Sequence, residues 1–346
     1  MVSATIPLSA LQKNLHVDFI ETVQYPGNAI AGGLAQATRT RIPKNFVYAD
    51  LNLFLQGLVN IVGGGGALAD EQPLSLIREI RLEGSSQSRP AMGDIRRMDA
   101  PAMFVWSLYN YGTYGRVVPL ATPNAQVGTA FSFDIEIPFA LVGAPDPRIS
   151  LLNTRELDTL DLVIEWETAA GLSTVGGGGS ITINQCSLTI TGREYQDPIS
   201  VAGRYKIQRI SQIDQPIATT NPALRIDVKT GYQLRGFLLK QFTGAAFIHT
   251  TDETIISGSL EFQLNRIRKK FYTIFGQLLA DNKLKYSIEI LPFGYAFLDL
   301  MEEGNLDTLV DTSKYESVEL VLGVTAGVNS RVKIYPIELL PVPGEQ

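Results

Sequence analysis

Several groups of residues in this 346-residue chain have types or spacings that could do chemistry. Four consecutive glycines occur twice, Gly63 to Gly66 and Gly176 to Gly179. A glycine-rich turn can cradle phosphate when Lys-Ser or Lys-Thr follows and a helix opens behind it. Neither run has that sequel, so both read as turns. The two histidines, His16 and His249, stand far apart, and a zinc site or a histidine base needs partners that no motif supplies. The acidic segment Glu302, Glu303, Asp307 and Asp311 offers oxygen ligands for a hard cation but lacks the spacing of a calcium loop, and reads as a solvated loop. Glu136 and Glu289 lie in similar runs, FDIEIPF and YSIEILPF, and are expected on equivalent outward strand faces, not as a paired acid and base. The single cysteine, Cys186, excludes an internal disulfide and a cysteine-cluster metal site; in ITINQCSLTI it alternates as a small core hydrophobe would. No catalytic residue, cofactor or metal is expected.

What remains is positive charge. Arg96-Arg97 precedes one predicted helix and Arg268-Lys269-Lys270 precedes another. Cations at a helix N-terminus oppose its dipole by a few tenths to about 1 kcal/mol, so a compensating partner is expected. With Lys13 of the N-terminal arm, these residues are candidates for contact with lipid headgroups, which attract a nearby Lys or Arg by roughly 1 kcal/mol each, or with a neighbouring subunit.

The elements that would carry these residues are mostly strands. Hydrophobic residues at 45% and charged residues at 18% describe a well-buried globular chain, and 31 Gly with 18 Pro imply many turns and short strands. A net charge of −6, with a pI near 5.1, argues against wholesale nucleic-acid binding. The N-terminus lacks a signal-peptide pattern, and no run of 18 apolar residues is present, so a cytosolic product that does not span a membrane is expected. The length suits two domains.

Leu151 to Gly171, LLNTRELDTLDLVIEWETAAG, returns as LVDTSKYESVELVLGVTAG at Leu309 to Gly327. In both copies an Asn-Thr or Asp-Thr turn leads into strict alternation. Leu160, Leu162, Ile164 and Trp166 match Val318, Leu320, Leu322 and Val324, with Asp161 and Glu319 on the opposite face. Period two predicts half-buried antiparallel strands, and burying each large apolar side chain is worth roughly 1.5 to 3 kcal/mol, so each copy requires its own core. Other features repeat in the same order. His16 to Tyr25 matches Tyr205 to Ile213; LFLQ at Leu53 to Gln56 matches LLKQ at Leu238 to Gln241; LIREIRLE matches Ile256 to Asn265. A helix capped by Asp99 and carrying Met103, Phe104, Trp106 and Leu108 matches one with Phe271, Ile274, Phe275, Leu278 and Leu279, FDIEIPF matches YSIEILPF, and Ser180 to Thr191 and Arg331 to Leu339 close the two halves.

This ordered duplication resembles the double jelly-roll major capsid proteins of the tectivirus, corticovirus and adenovirus hexon lineage, over essentially the whole chain from His16. The resemblance implies an all-β fold of two tandem eight-stranded antiparallel jelly rolls, each with a helical insertion: an arm at 1–15, a first roll at 16–200 and a second at 201–346 with a short tail. It implies a structural, non-enzymatic virion protein of a bacteriophage, made in the host cytoplasm. Its homotrimers would form pseudo-hexagonal capsomers that tile an icosahedral shell over an internal membrane, with penton and minor capsid proteins as further partners. The alternatives are another β-sandwich virion component of spike or penton type, and a duplicated jelly-roll carbohydrate-binding protein or glycan-active enzyme. The last needs a cleft with two carboxylates and aromatic platforms, and no such pair is recognisable.

Overall fold

The computed structural model describes residues 15–27, 36–44, 47–64, 66–86, 89–112, 115–120, 124–141, 147–173, 179–195, 206–244, 250–301 and 305–340. The chain up to Tyr195 supplies β1 (Leu15–Gln24), β2 (Ala37–Arg41), β3 (Val47–Val62), β4 (Ile77–Ser86), β5 (Arg89–Met98), helix α1 (Ala100–Tyr111), β6 (Val117–Val118), β7 (Gln126–Pro138), β8 (Leu152–Asn153), β9 (Thr159–Trp166) and β10 (Ser180–Tyr195). From Ile207 it supplies β11 (Ile207–Ile210), β12 (Ile213–Pro216), β13 (Asn221–Asp227), β14 (Gln233–Thr243), β15 (Thr250–Thr251), β16 (Ile256–Leu264) and β17 (Ile267–Tyr272). Helix α2 (Phe275–Tyr286), β18 (Tyr295–Asp299), β19 (Val310–Asp311), β20 (Val318–Val324) and β21 (Arg331–Leu340) complete it.

Strand order is the same in both sets. In the first, β1-β10-β3-β7 packs against β2-β9-β4-β5; in the second, β11 and β12 lie beside β21, followed by β14 and β18, and pack against β13-β20-β16-β17. Each is a two-sheet jelly roll of eight principal strands. The two are joined because β5 pairs in parallel with β11, at Arg96 and Ile210. That pairing fuses β2-β9-β4-β5 of the first roll with β11-β21-β14 of the second into one eleven-stranded sheet.

The repeated stretch behaves as its alternation predicts. Leu160, Leu162, Ile164 and Trp166 are buried in the first core, and Val318, Leu320, Leu322 and Val324 in the second. The turn before it is repeated too. Val47 and Tyr48 pair with Asn153 and Leu152, as Gln233 and Leu234 pair with Asp311 and Val310. In each case the Asn or Asp side chain accepts a bond from the backbone two residues on, Arg155 or Ser313, at 3.2 Å. Asp161 and Glu319 are hubs of equivalent charged ladders on the solvent faces. Arg39 and Arg41 reach Asp161 at 2.8 and 2.9 Å, and Arg225 pairs with Glu319.

Four expectations need correction. YSIEILPF is not a strand: α2 continues through Tyr286, Ser287 ends it in a left-handed conformation with φ 54°, and Glu289 and Ile290 are exposed. The counterpart of β7 is Tyr295–Asp299, where Ala296 pairs with Leu239 as Ile135 pairs with Leu53. Leu53 therefore matches Leu239, and the LFLQ–LLKQ alignment is one residue out, which in a strand exchanges the two faces. Phe271 belongs to β17 and Ile274 is the N-cap of α2, so that helix starts later than its apolar spacing suggests. Finally, β2, β5, β13 and β17, short or charge-rich strands, carry too few alternating hydrophobes to be read beforehand.

Gly323 in β20 passes Gly258 in β16 so closely that a Cβ on it would lie 2.8 Å from the Gly258 Cα and 3.0 Å from the Ser259 nitrogen. Backbone has little freedom to yield there. Gly323→Ala is expected to lower stability by about 1–3 kcal/mol, read as a lower urea midpoint at unchanged slope.

Candidate functional site: the joint between the rolls

Helix α1 opens with Asp99, whose Oδ1 accepts a bond from the Ala102 N–H at 2.8 Å, has Pro101 in its first turn, and ends at Gly112 in a left-handed conformation. These are ordinary start and stop signals. Its burial is unusual for a surface helix: every residue from Ala100 to Asn110 except Phe104 is buried. A helix apolar all round lies between two layers, and here the second layer is the other roll.

On its own side, Ser107 Oγ donates to the Glu136 carbonyl at 2.7 Å. On the far side, the Trp106 ring meets Phe297 edge-on at 5.2 Å, and the Arg235 guanidinium lies over both rings at 5.2 and 5.5 Å. Tyr109 donates to Asn282 Oδ1 at 3.0 Å. Leu238, Tyr295, Phe297 and Tyr335 of the second roll thus join the first roll's apolar cluster, apart from that around Phe237, Leu239, Leu260 and Leu320.

The helix N-terminus is also an ionic centre. Asp99 Oδ2 accepts bonds from Lys333 Nζ and Tyr335 OH, both at 2.9 Å, and from Lys240 Nζ at 3.3 Å. Lys240 also donates to Glu71 Oε2 at 2.7 Å, and Tyr295 OH donates to Glu71. Two acids of the first roll are therefore matched by two buried lysines of the second. Burial alone would raise the Asp99 carboxyl, but the Lys240 and Lys333 ammonium groups and the Ala102 N–H outweigh it and hold it well below the usual carboxylate range. Beside this centre lies a cavity of about 480 Å³ walled by both rolls, including Arg97, Glu79, Arg331 and Asp214. Its charges are paired within the walls, Arg97 with Glu79 at 3.1 Å and Arg331 with Asp214 at 2.9 Å.

The basic candidates from the sequence separate. Arg96 is fully buried at the joint, donating to the Pro138 carbonyl at 3.1 Å and to Gln208 Oε1 at 2.7 Å. It faces neither lipid nor a neighbouring capsomer, because β5 is covered by β11. Arg97 and Arg268 do occupy matching strands ahead of the two helices, yet their partners are strand acids, Glu79 and Glu261, the latter at 2.7 Å. Lys270 donates to the Asp299 carbonyl at 2.6 Å. Lys269 is exposed on β17, and Lys13 lies outside the described residues.

Of the other candidates, His16 is exposed on β1. His249, Glu302, Glu303, Gly65 and Gly176 to Gly178 lie outside the described residues. Cys186 is buried, and burial pushes its thiol up to about 12, which keeps it protonated and unreactive. Asp311 is occupied by Ser313 and Lys314. Among the described residues no group of three or more His, Cys, Asp or Glu is placed to hold a metal, and no helix is long and apolar enough to cross a membrane. Sequence reasoning missed Asp99 as an ionic hub, along with Lys240, Lys333 and Glu71. The available signal was a lysine inside strands apolar on both faces, GFLLKQF and VKIY.

Asp99→Ala would remove the cap and leave Lys333 buried without its carboxylate; a loss of about 3–5 kcal/mol in denaturant unfolding is expected. Glu338, 2% exposed on β21, is different. Burial raises its carboxyl to about 7 against the opposing pull of Arg209 and Lys229. An acid raised in the folded state holds its proton there more tightly than in the unfolded chain, so it favours folding below its ordinary value and this contribution is lost as pH rises toward 7. Glu338→Gln is expected to flatten the fall in melting temperature between about pH 4.5 and 7, a window that thermal scans at stepped pH would read.

No protein-family model matches the chain, and no curated protein sequence matches it. Solved structures do. The major capsid protein of Sulfolobus turreted icosahedral virus superposes with a TM-score of 0.67 at 14% identity, covering 95% of this chain and 98% of that one. The major capsid protein of bacteriophage PM2 gives 0.58 at 12% identity, with 95% and 99% covered. The PBCV-1 virus capsid gives 0.55 at 13%, with 95% and 94% covered. Matched strand order in two fused sandwiches, together with these superpositions over nearly whole chains, gives this chain the double jelly-roll fold of viral major capsid proteins.

Proposed function

We propose that this chain is a viral major capsid protein, a structural subunit without catalysis, with an arm at 1–15 and rolls at 16–200 and 201–346. Three copies form a pseudo-hexagonal capsomer, and capsomers tile an icosahedral shell over an internal membrane, meeting penton and minor capsid proteins at its vertices and seams. The observation that carries this reading is the joint. Two barrels of equal topology are locked side by side by a shared sheet and a helix buried between them. Such a block presents two similar outlines per chain, so threefold symmetry alone places six barrels in a near-hexagonal ring. The fold shared with capsid proteins of three viruses points the same way.

The purified chain is expected to run as a stable trimer in mass measurements, with negative-stain images showing six-lobed, near-hexagonal particles. A persistent monomer that is retained on sugar columns would favour the carbohydrate-binding alternative and overturn this reading.

A further inference from the structure

The ionic centre at the start of α1 holds more than a balanced set of charges. Lys240 of the second roll is wholly buried, and its Nζ lies between two acids of the first, 2.7 Å from Glu71 Oε2 and 3.3 Å from Asp99 Oδ2. The other Glu71 oxygen accepts a bond from Tyr295 OH. Asp99 Oδ1 faces the Ala102 N–H at 2.8 Å, at the positive end of a 12-residue helix. Its Oδ2 faces Lys333 Nζ and Tyr335 OH, both at 2.9 Å. The rings of Phe242 and Tyr295 lie 5.4 and 5.5 Å from Lys240 Nζ.

These groups are the parts that amide formation requires. An amine becomes a nucleophile once a neighbouring base has taken its proton, and Glu71 stands at that proton. A carboxyl carbon is opened to attack when a preorganised N–H holds one oxygen and proton donors hold the other; Ala102 supplies the first, Lys333 and Tyr335 the second. Reactants held in contact reach effective concentrations of about 10⁵–10⁸ M. Burial adds a drive. An ammonium and a carboxylate taken out of water are costly to keep, and condensation turns that pair into a neutral amide while Glu71 and Lys333 remain to balance each other. Among the described residues Lys333 pairs with Asp99 alone, so the base at Glu71 makes Lys240 the nucleophile.

We propose that Lys240 and Asp99 condense to an amide, a covalent bond between the two rolls that the chain makes by itself. The reaction starts from the ion pair. Glu71 takes a proton from the Lys240 ammonium, and Lys333 gives one to Asp99 Oδ2. The freed lone pair on Nζ attacks Cγ, and the displaced electron pair rests on Oδ1 against the Ala102 N–H. As that pair returns, the Cγ–Oδ2 bond breaks. Oδ2 leaves as water with the protons from Lys333 and Glu71, and Lys333 recovers a proton from Nζ. One Nζ–Cγ bond forms, one Cγ–Oδ2 bond breaks, one water departs, and nothing is oxidised or reduced. The cavity walled by Glu71, Asp99, Lys240 and Lys333 gives that water a way out. Every group belongs to one chain, so the bond forms whether or not copies assemble. It ties residues 141 apart in sequence and limits how far the rolls can separate when unfolded, as a disulfide would.

Mass spectrometry of the purified full chain reads the bond directly. The denatured protein is expected to be lighter than its sequence by one water, and protease digestion to release the peptides holding Asp99 and Lys240 as one joined species. On a denaturing gel the wild-type chain is expected to run ahead of Lys240→Arg, which keeps the charge and is expected at full sequence mass. Should Lys240→Arg fail to fold, Glu71→Gln keeps size and shape, removes the base, and is likewise expected at full mass. A wild-type chain whose Asp99 and Lys240 peptides separate freely, or one joined through Lys333 instead, overturns the proposal. A join that persists in Glu71→Gln overturns the role given to Glu71.

Discussion

The fold of this chain as a whole depends on a charge that cannot be left unmatched. Asp99 must cap α1 in a place that the second roll removes from water, and a buried carboxylate without partners is strongly disfavoured. Lys240 and Lys333 arrive from the second roll to neutralise it, and Glu71 balances the extra ammonium. Replacing such a cluster with hydrophobes often costs nothing in stability, whereas removing one member costs several kcal/mol. Its evident consequence is geometric. The charges match only when β14 and β21 lie at one register over α1, so the cluster fixes how the rolls sit together where apolar packing of Trp106 and Phe297 would tolerate sliding.

Around that joint the two rolls have kept their topology and changed their surfaces. The cores use the same strand positions, and the Asn153 and Asp311 turns are superposable in register and hydrogen bonding. The charged ladders through Asp161 and Glu319 are retained on the solvent side, where paired charges keep a sheet face from sticking to others. The outer face of the β3-bearing sheet is polar with Phe54 exposed, and the equivalent face in the second roll is covered and joins Leu238, Tyr295, Phe297 and Tyr335 with the paired Lys240 and Lys333. The difference follows from burial within the chain. One face is always covered by α1, and the other meets water whenever the chain is alone.

Much of this was legible beforehand, and the misses share a cause. Alternation located β1, β3, β4, β7, β9 and β10, and the counterparts of all of these but β7, because a half-buried strand writes its two environments into successive residues. It failed at β5 and β17, whose charges point into ladders on one side and into a joint or open edge on the other. It misjudged YSIEILPF, where a helix end imitates alternation over a few residues. Arg97 and Arg268 lie on matching strands and are held by acids of the adjacent strand, Glu79 and Glu261, and such pairing is not written in local sequence.

By itself the sequence determined the duplication, the all-β class, the cores and the inert character of Cys186, all properties of short segments and their order. The tertiary structure decided which copy of each surface is covered. It turned Arg96 inward, made Asp99 the centre of an ionic lock, and left β17, α2 and β1 open. These outcomes depend on which residues of the other roll arrive, and burial by a distant part of the chain leaves no periodic trace in the segment it covers.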